Sequence, residues 1–148
     1  MNLSLPRSPR ETLGGYVFLP RLIDKVRLHA KGLLPPDYTG NLLKPGLTTD
    51  GRFLSFTGLD GEEFRKIILS SDSDTDVLAW VQQQALPKSD QEIQQWIKEI
   101  DAFRPDSRLA QMRINMYPDL AKKMDVSNLS IFDVIDLDEG RQPPRKLI

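Results

Sequence analysis

Residues 20–41, "PRLIDKVRLHAKGLLPPDYTGN", hold the densest set of side chains able to do chemistry. Arg21 and Lys25 stand four apart, a helical spacing that sets two cations side by side. Asp24 sits three residues from both Arg21 and Arg27 and can relieve that repulsion. His29, the chain's one histidine, lies a turn beyond. Tyr38 and Asn41 follow in a proline-rich loop that could close over the helix, and Arg52 comes soon after it. The chemistry this pattern suggests is reception of an anion. A guanidinium offers a planar fork of donors to a carboxylate or phosphate, and a lysine offers a point charge. Arg7 and Arg10 could join the same surface. The residues alone also fit a solvated face that neutralises itself, and a histidine at the edge of an apolar arc fits a half-buried core residue with one satisfied nitrogen.

Other chemistries are narrowed by what the chain lacks. Its 148 residues include no cysteine, which removes disulfide scaffolds, zinc ribbons and thiol nucleophiles. One histidine cannot build a His-rich metal centre, and no G-x-S-x-G elbow presents a serine. "LGG" and "TGNLLKPG" lack the spacing of a phosphate-binding loop. The acidic run "DVIDLDEG", with Asp133, Asp136, Asp138 and Glu139, lacks the order of a calcium loop and is expected to be solvated. No metal and no cofactor are expected. A metal-free enzyme using carboxylate or tyrosine chemistry and a structural homo-oligomer are the alternatives to a binding module.

The charge balance is −1 in total, which argues against bulk attraction to nucleic acid. It is uneven. Residues 1–59 carry eight Lys/Arg against four Asp/Glu, or +4, and residues 60–148 carry twelve against seventeen, or −5. No apolar run approaches the roughly 20 residues that span a bilayer, so no membrane partner is expected. "MNLSLPRSPRE" has no hydrophobic signal core, and a cytoplasmic location is expected.

The elements that must position these residues are punctuated helices. "SPRE" reads as a capping box of Ser8 and Glu11 opening a short turn that Gly14 and Gly15 end. A helix begins at about Pro20 and stops at Gly32, with Leu19, Leu22, Ile23, Val26 and Ala30 on its apolar arc. "TTDGRFLSFTG", "DGEEFRKIILSS", "SDTDVLAWVQQQA" and "SDQEIQQWIKEIDAF" each read as a helix, the second and fourth opened by the capping boxes Asp60/Glu63 and Ser89/Glu92. Pro105 opens a stretch with Leu109, Met112 and Met116, and Pro118 restarts it. Residues 130–139 fit a helix or a strand, since their apolar residues are frequent and β-branched. The two tryptophans and the phenylalanines lie on apolar helix faces and are expected in the core. Core filling is also the expectation for Met112, Met116 and Met124, with an adaptable hydrophobic strip for a partner as the alternative. No strand–turn–strand pattern is read anywhere.

Four blocks in order, "LGGYVFLPRLIDKVR", "DGRFLSFTGLDGEEF", "SDTDVLAWV" and "SDQEIQQW", resemble the bacterial proteins known as domain of unknown function 5069. The likeness covers about residues 5–105 and weakens beyond Pro105. The loop after the Pro20 helix is the part least similar. The resemblance implies a domain standing mostly alone and no particular activity, so it assigns no role to any residue here.

The expectation is therefore an all-α, compact single domain over 1–148, of about six to eight short helices, with 1–6 and 141–148 frayed. Its expected function is to receive an anionic small molecule or partner group at the 20–41 helix and loop. Arg21, Asp24, Lys25, His29, Tyr38, Asn41 and Arg52 are the candidate residues.

Overall fold

The computed structural model describes residues 4–142. Among them the fold is built almost wholly of helices, as expected, with one exception at its start. Thr12–Leu13 (β1) pairs antiparallel with Tyr16–Val17 (β2), Thr12 facing Val17 and Leu13 facing Tyr16. Gly14 and Gly15, at φ 58° and 85°, form the two-residue turn between them. Both positions need left-handed backbone, which glycine adopts without a Cβ clash. The expected Ser8/Glu11 capping box does not form. Ser8 Oγ instead accepts from Arg10 N–H at 3.2 Å, and Ser8 O accepts from Glu11 N–H at 3.2 Å. The paired glycines flanked by Thr-Leu and Tyr-Val were a hairpin signal that outweighs the proline and capping residues before them.

Phe18 links the hairpin to the first helix with φ 74°, a left-handed value that is costly for a side chain of this size. Its burial holds it there. The helix, Leu19–Ala30 (α1), carries Pro20 in its first turn as the sequence predicts, and Gly32 follows at φ 71°. A 3-10 segment spans Pro36–Asn41. Then come Thr49–Thr57 (α2), Gly61–Ser70 (α3), Asp74–Gln84 (α4) and Asp90–Ala102 (α5). Thr48, Asp60 and Ser73 cap α2, α3 and α4 through their side chains. The box at α5 closes in both directions. Glu92 N–H donates to Ser89 Oγ at 3.1 Å, and Ser89 N–H donates to Glu92 Oε1 at 3.0 Å.

The chain divides into two compact units with the boundary between Ile93 and Gln94. In the first, the expected apolar arc of α1 is confirmed for Leu19, Leu22, Ile23 and Val26, all fully buried, while Ala30 is exposed. An aromatic file runs through this core. Tyr16 meets Phe53 edge-on at 6.1 Å, Phe53 stacks on Phe64 at 6.2 Å, and Phe64 stacks on Trp80 at 5.9 Å. Each such pair adds about 0.5–1.5 kcal/mol beyond the area it buries. Phe53 and Phe64 are fully buried core, as expected, and Trp80 at the end of the file is half-buried.

The second unit holds the rest of α5, then Ser107–Met116 (α6), Pro118–Ala121 (α7), a 3-10 turn at Val126–Asn128 and Ile131–Asp138 (α8). Pro118 does restart the helix. Residues 131–138 are helical, which resolves the helix–strand ambiguity, with Ser130 as cap and Gly140 at φ 82° just beyond. Buried Arg113 of α6 donates from Nη1 to Val126 O at 3.1 Å and Leu129 O at 2.9 Å. Two expectations are corrected in this unit. Met112 and Met116 are 50% and 55% exposed instead of filling the core. Asp133 and Asp136 are buried instead of solvated, because the acidic and apolar residues of α8 interleave and its buried arc takes in both.

The ends expected to fray lie partly outside the described residues. Within them, Ser4 N–H donates to Leu33 O at 2.9 Å and Arg141 N–H to Asp136 O at 2.7 Å.

The hydrogen bonds from Ser89 hold the Glu92 carboxyl below the usual carboxylate range. A lowered value means stability that is present above the unfolded group's value and lost as pH falls through the folded one. Glu92→Ala is therefore expected to lower the urea midpoint at neutral pH. The gap to wild type should close once acid protonates Glu92, as read by circular dichroism across both pH values.

Candidate functional site

Burial decides what the candidate residues of α1 do. Arg21 and Lys25 were expected on a solvent-facing cationic stripe, and both are buried. The reason is the loop and helix that follow, which cover this side of α1.

Lys25 Nζ lies 2.7 Å and 2.8 Å from the two carboxylate oxygens of Asp50, on the first turn of α2. The side chains are 7% and 3% exposed. Asp50 Oδ2 also accepts the Leu43 N–H at 2.9 Å. One carboxylate thus ties α1, the start of α2 and the loop between them. The same loop presses against Gly51. A Cβ there would sit 2.4 Å from Gly46 O and 2.8 Å from Lys44 O, so only glycine fits beside Asp50. Leu43 takes φ 53°, the left-handed value that delivers its N–H to the carboxylate.

Asp24 does not relieve Arg21 or Arg27. Arg7 takes it whole, through its backbone N–H (2.8 Å), Nε (2.9 Å) and Nη2 (3.0 Å). Arg7 Nη1 reaches Asp74 of α4 at 2.9 Å, and Arg27 meets the other Asp74 oxygen at 3.1 Å. The two carboxylates hold the Arg7 guanidinium well above its usual value. Arg21 donates to Arg7 O at 3.0 Å, and its guanidinium lies 5.7 Å from the centre of the Tyr38 ring, a cation–π distance. Tyr38 therefore meets the first turn of α1. The loop runs back along the helix instead of capping its far end. Arg52 donates from Nε to Leu47 O at 3.0 Å, and burial lowers its guanidinium. Asn41 is half-buried, with its carbonyl accepting from Lys44 N–H at 3.2 Å.

His29 is half-buried near the end of α1, where Arg65 of α3 reaches it. Arg65 Nη2 lies 3.4 Å from His29 Nδ1. A guanidinium has donors only, so a hydrogen bond at this contact makes Nδ1 the acceptor. Among the described residues Arg65 makes no ion pair. Glu62, three residues before it on α3, is exposed and has no ion pair among the described residues.

The seven candidates thus separate. Arg21 with Tyr38, Lys25 with Asp50, and Asp24 with Arg7 are fixed structural contacts. His29 stands apart with Arg65. Sequence reasoning missed Asp50 and Arg65, which come from 25 and 36 residues downstream of their partners. No local spacing signals pairs so distant. The single usable hint was Asp50 itself, an acid in a first helical turn beside a glycine.

The chain matches the family model for domain of unknown function 5069 over residues 3–141 and belongs to that family. The match runs well past Pro105, so the C-terminal residues are part of the family pattern too. Comparison with curated proteins finds no match.

Breaking the Lys25–Asp50 pair on one side leaves a buried charge behind, at a cost of about 3–5 kcal/mol. Lys25→Met and Asp50→Leu should each destabilise by that order in urea unfolding. The double variant should lose far less than the two losses added together, since neither charge is then stranded.

Proposed function

We propose that this chain is a binding module that receives an anionic group, a carboxylate or a phosphate, at the end of α1 where His29 and Arg65 meet. The observation that supports it is the partner of Arg65. A half-buried guanidinium ordinarily faces a carboxylate, yet among the described residues this one makes a single long contact, 3.4 Å to the imidazole of His29. Its remaining donors suit the two oxygens of an incoming oxyanion.

The rest of the expected constellation plays a supporting part. Lys25 and Arg21 fix the helix against the loop and Asp24 fixes it against Arg7, so the receiving edge is presented by a rigid element rather than by loose side chains. Arg52 and Asn41 belong to the covering loop and the start of α2. The proposal is one of binding, not catalysis. It needs no metal or cofactor, and its partner is a small anion or an anionic group on a larger molecule, with a net charge of −1 arguing against nucleic acid. No helix of the described residues is long and apolar enough to cross a membrane. A cytoplasmic setting, expected from the amino-terminal sequence, is part of the same proposal.

A thermal-shift screen of phosphate and small carboxylates at fixed ionic strength tests the reading. At about a hundredfold excess over Kd, a bound anion stabilises by about 2.7 kcal/mol. Wild type should melt higher with at least one anion, and Arg65→Gln should lose the shift. An equal shift in both proteins would refute the site.

A further inference from the structure

We propose that α6 is the contact face of a homodimer, in which two copies of this chain pair their α6 helices antiparallel through Met112 and Met116.

An amphipathic helix ordinarily turns its apolar side inward. In α6 that order is reversed. The residue it buries, among the described residues, is Arg113, which donates to Val126 O at 3.1 Å and to Leu129 O at 2.9 Å. A charged side chain thus anchors the helix to the segment around the 3-10 turn, and the apolar residues are left outside. Seven large apolar side chains are exposed among the described residues, and Met112, Ile114 and Met116 are three of them. Met112 and Met116 stand four apart and lie side by side, with half-buried Leu109 one turn earlier on the same face. A contiguous apolar strip of this kind marks a surface that another molecule covers. Flexible thioethers also adapt well to a surface that must fit itself.

The charges beside the strip identify the occupant. Going outward from Met112 toward the amino terminus, the exposed charges are Arg108 and then Asp106. Going outward from Met116 toward the carboxyl terminus, they are Asp119 and then Lys122. The signs are opposite at matching places. Arg108 is four residues from Met112 and Asp119 three from Met116, while Asp106 and Lys122 are each six away. Arg108, Asp119 and Lys122 have no ion pair among the described residues. Asp106 caps α6 through one oxygen, to Leu109 N–H at 3.0 Å, and keeps the other.

A two-fold axis between Met112 and Met116 lays each end of the strip on the opposite end of its copy. Met112 then meets the partner's Met116, Arg108 the partner's Asp119, and Asp106 the partner's Lys122. A parallel pairing would set every charge against its own like. An anionic membrane would call for one sign of charge around the strip, and the balance of signs here speaks against it.

Sedimentation equilibrium of the full chain at low salt, from micromolar to millimolar concentration, reads the mass of the particle. It should rise from that of one chain toward that of two. Met112→Lys should hold the protein as a monomer. Its circular dichroism and its melting temperature at micromolar concentration should stay near those of wild type, because the replaced side chain already faces water. Arg108→Asp should weaken dimerisation by about tenfold or more, since the axis makes the like-charge contact twice. Asp119→Arg should do the same. The double variant should recover most of the wild-type affinity, because the exchanged charges again meet opposite ones. A monomer throughout the range overturns the proposal, including one that cosediments with vesicles of anionic lipid. A dimer indifferent to Met112→Lys overturns the α6 face, and a double variant no tighter than either single one overturns the antiparallel pairing.

Discussion

A lysine ammonium taken out of water beside α1 is tolerated only because a carboxylate meets it with both oxygens, at 2.7 Å and 2.8 Å. Isolated, either ion would cost several kcal/mol to bury. Together they turn that cost into a constraint. Asp50 must stay at the start of α2, Lys25 must face it, and Leu43 must bring its N–H to the remaining lone pair. The loop geometry follows: Leu43 in a left-handed conformation, Gly46 and Lys44 against Gly51, and the 3-10 segment folded back so that Tyr38 lies at Arg21. A second set of charges does the same work on another side of α1, with Arg7 joining Asp24 to Asp74 and Arg27. The helix that looked like a charged surface is a strut clamped by two ionic contacts.

Once those charges are accounted for, the end of α1 stands out. Charge pairing satisfies Lys25, Asp24 and Arg27, while Arg65 turns to an imidazole. The aromatic file from Tyr16 to Trp80 carries no such chemistry. It fixes the spacing among the hairpin, α2, α3 and α4.

Much of the fold was legible because it is written locally. Capping residues, prolines and glycines act within four residues of where they stand, so the starts of α2, α3, α4 and α5 and the restart at Pro118 could be read directly. The periodicity of Leu19, Leu22, Ile23 and Val26 gave the buried face of α1. The hairpin was missed although its signal is local too. Gly14 and Gly15 read equally well as a helix stop, and strands of two residues leave no alternation to detect. What could not be read was which cations are buried. The helical wheel puts Arg21 and Lys25 opposite the apolar arc, and burial there depends on a loop and an aspartate whose arrival no spacing announces. The same limit applies to His29. Its half-buried position was expected, but its partner Arg65 lies on a different helix, 36 residues on. The buried acids of α8 and the exposed methionines of α6 reverse local expectation in the same manner, since composition ranks residues by type while packing selects them by place.

The central claim is that the Lys25–Asp50 pair pins the covering loop to α1 through the Leu43 amide. Native-state hydrogen exchange at that amide is the most direct test. The account predicts that Leu43 N–H exchanges slowly, with protection close to that of the core amides of α1 and far above that of Leu47 in the same loop. Exchange at the rate of an open loop would contradict it.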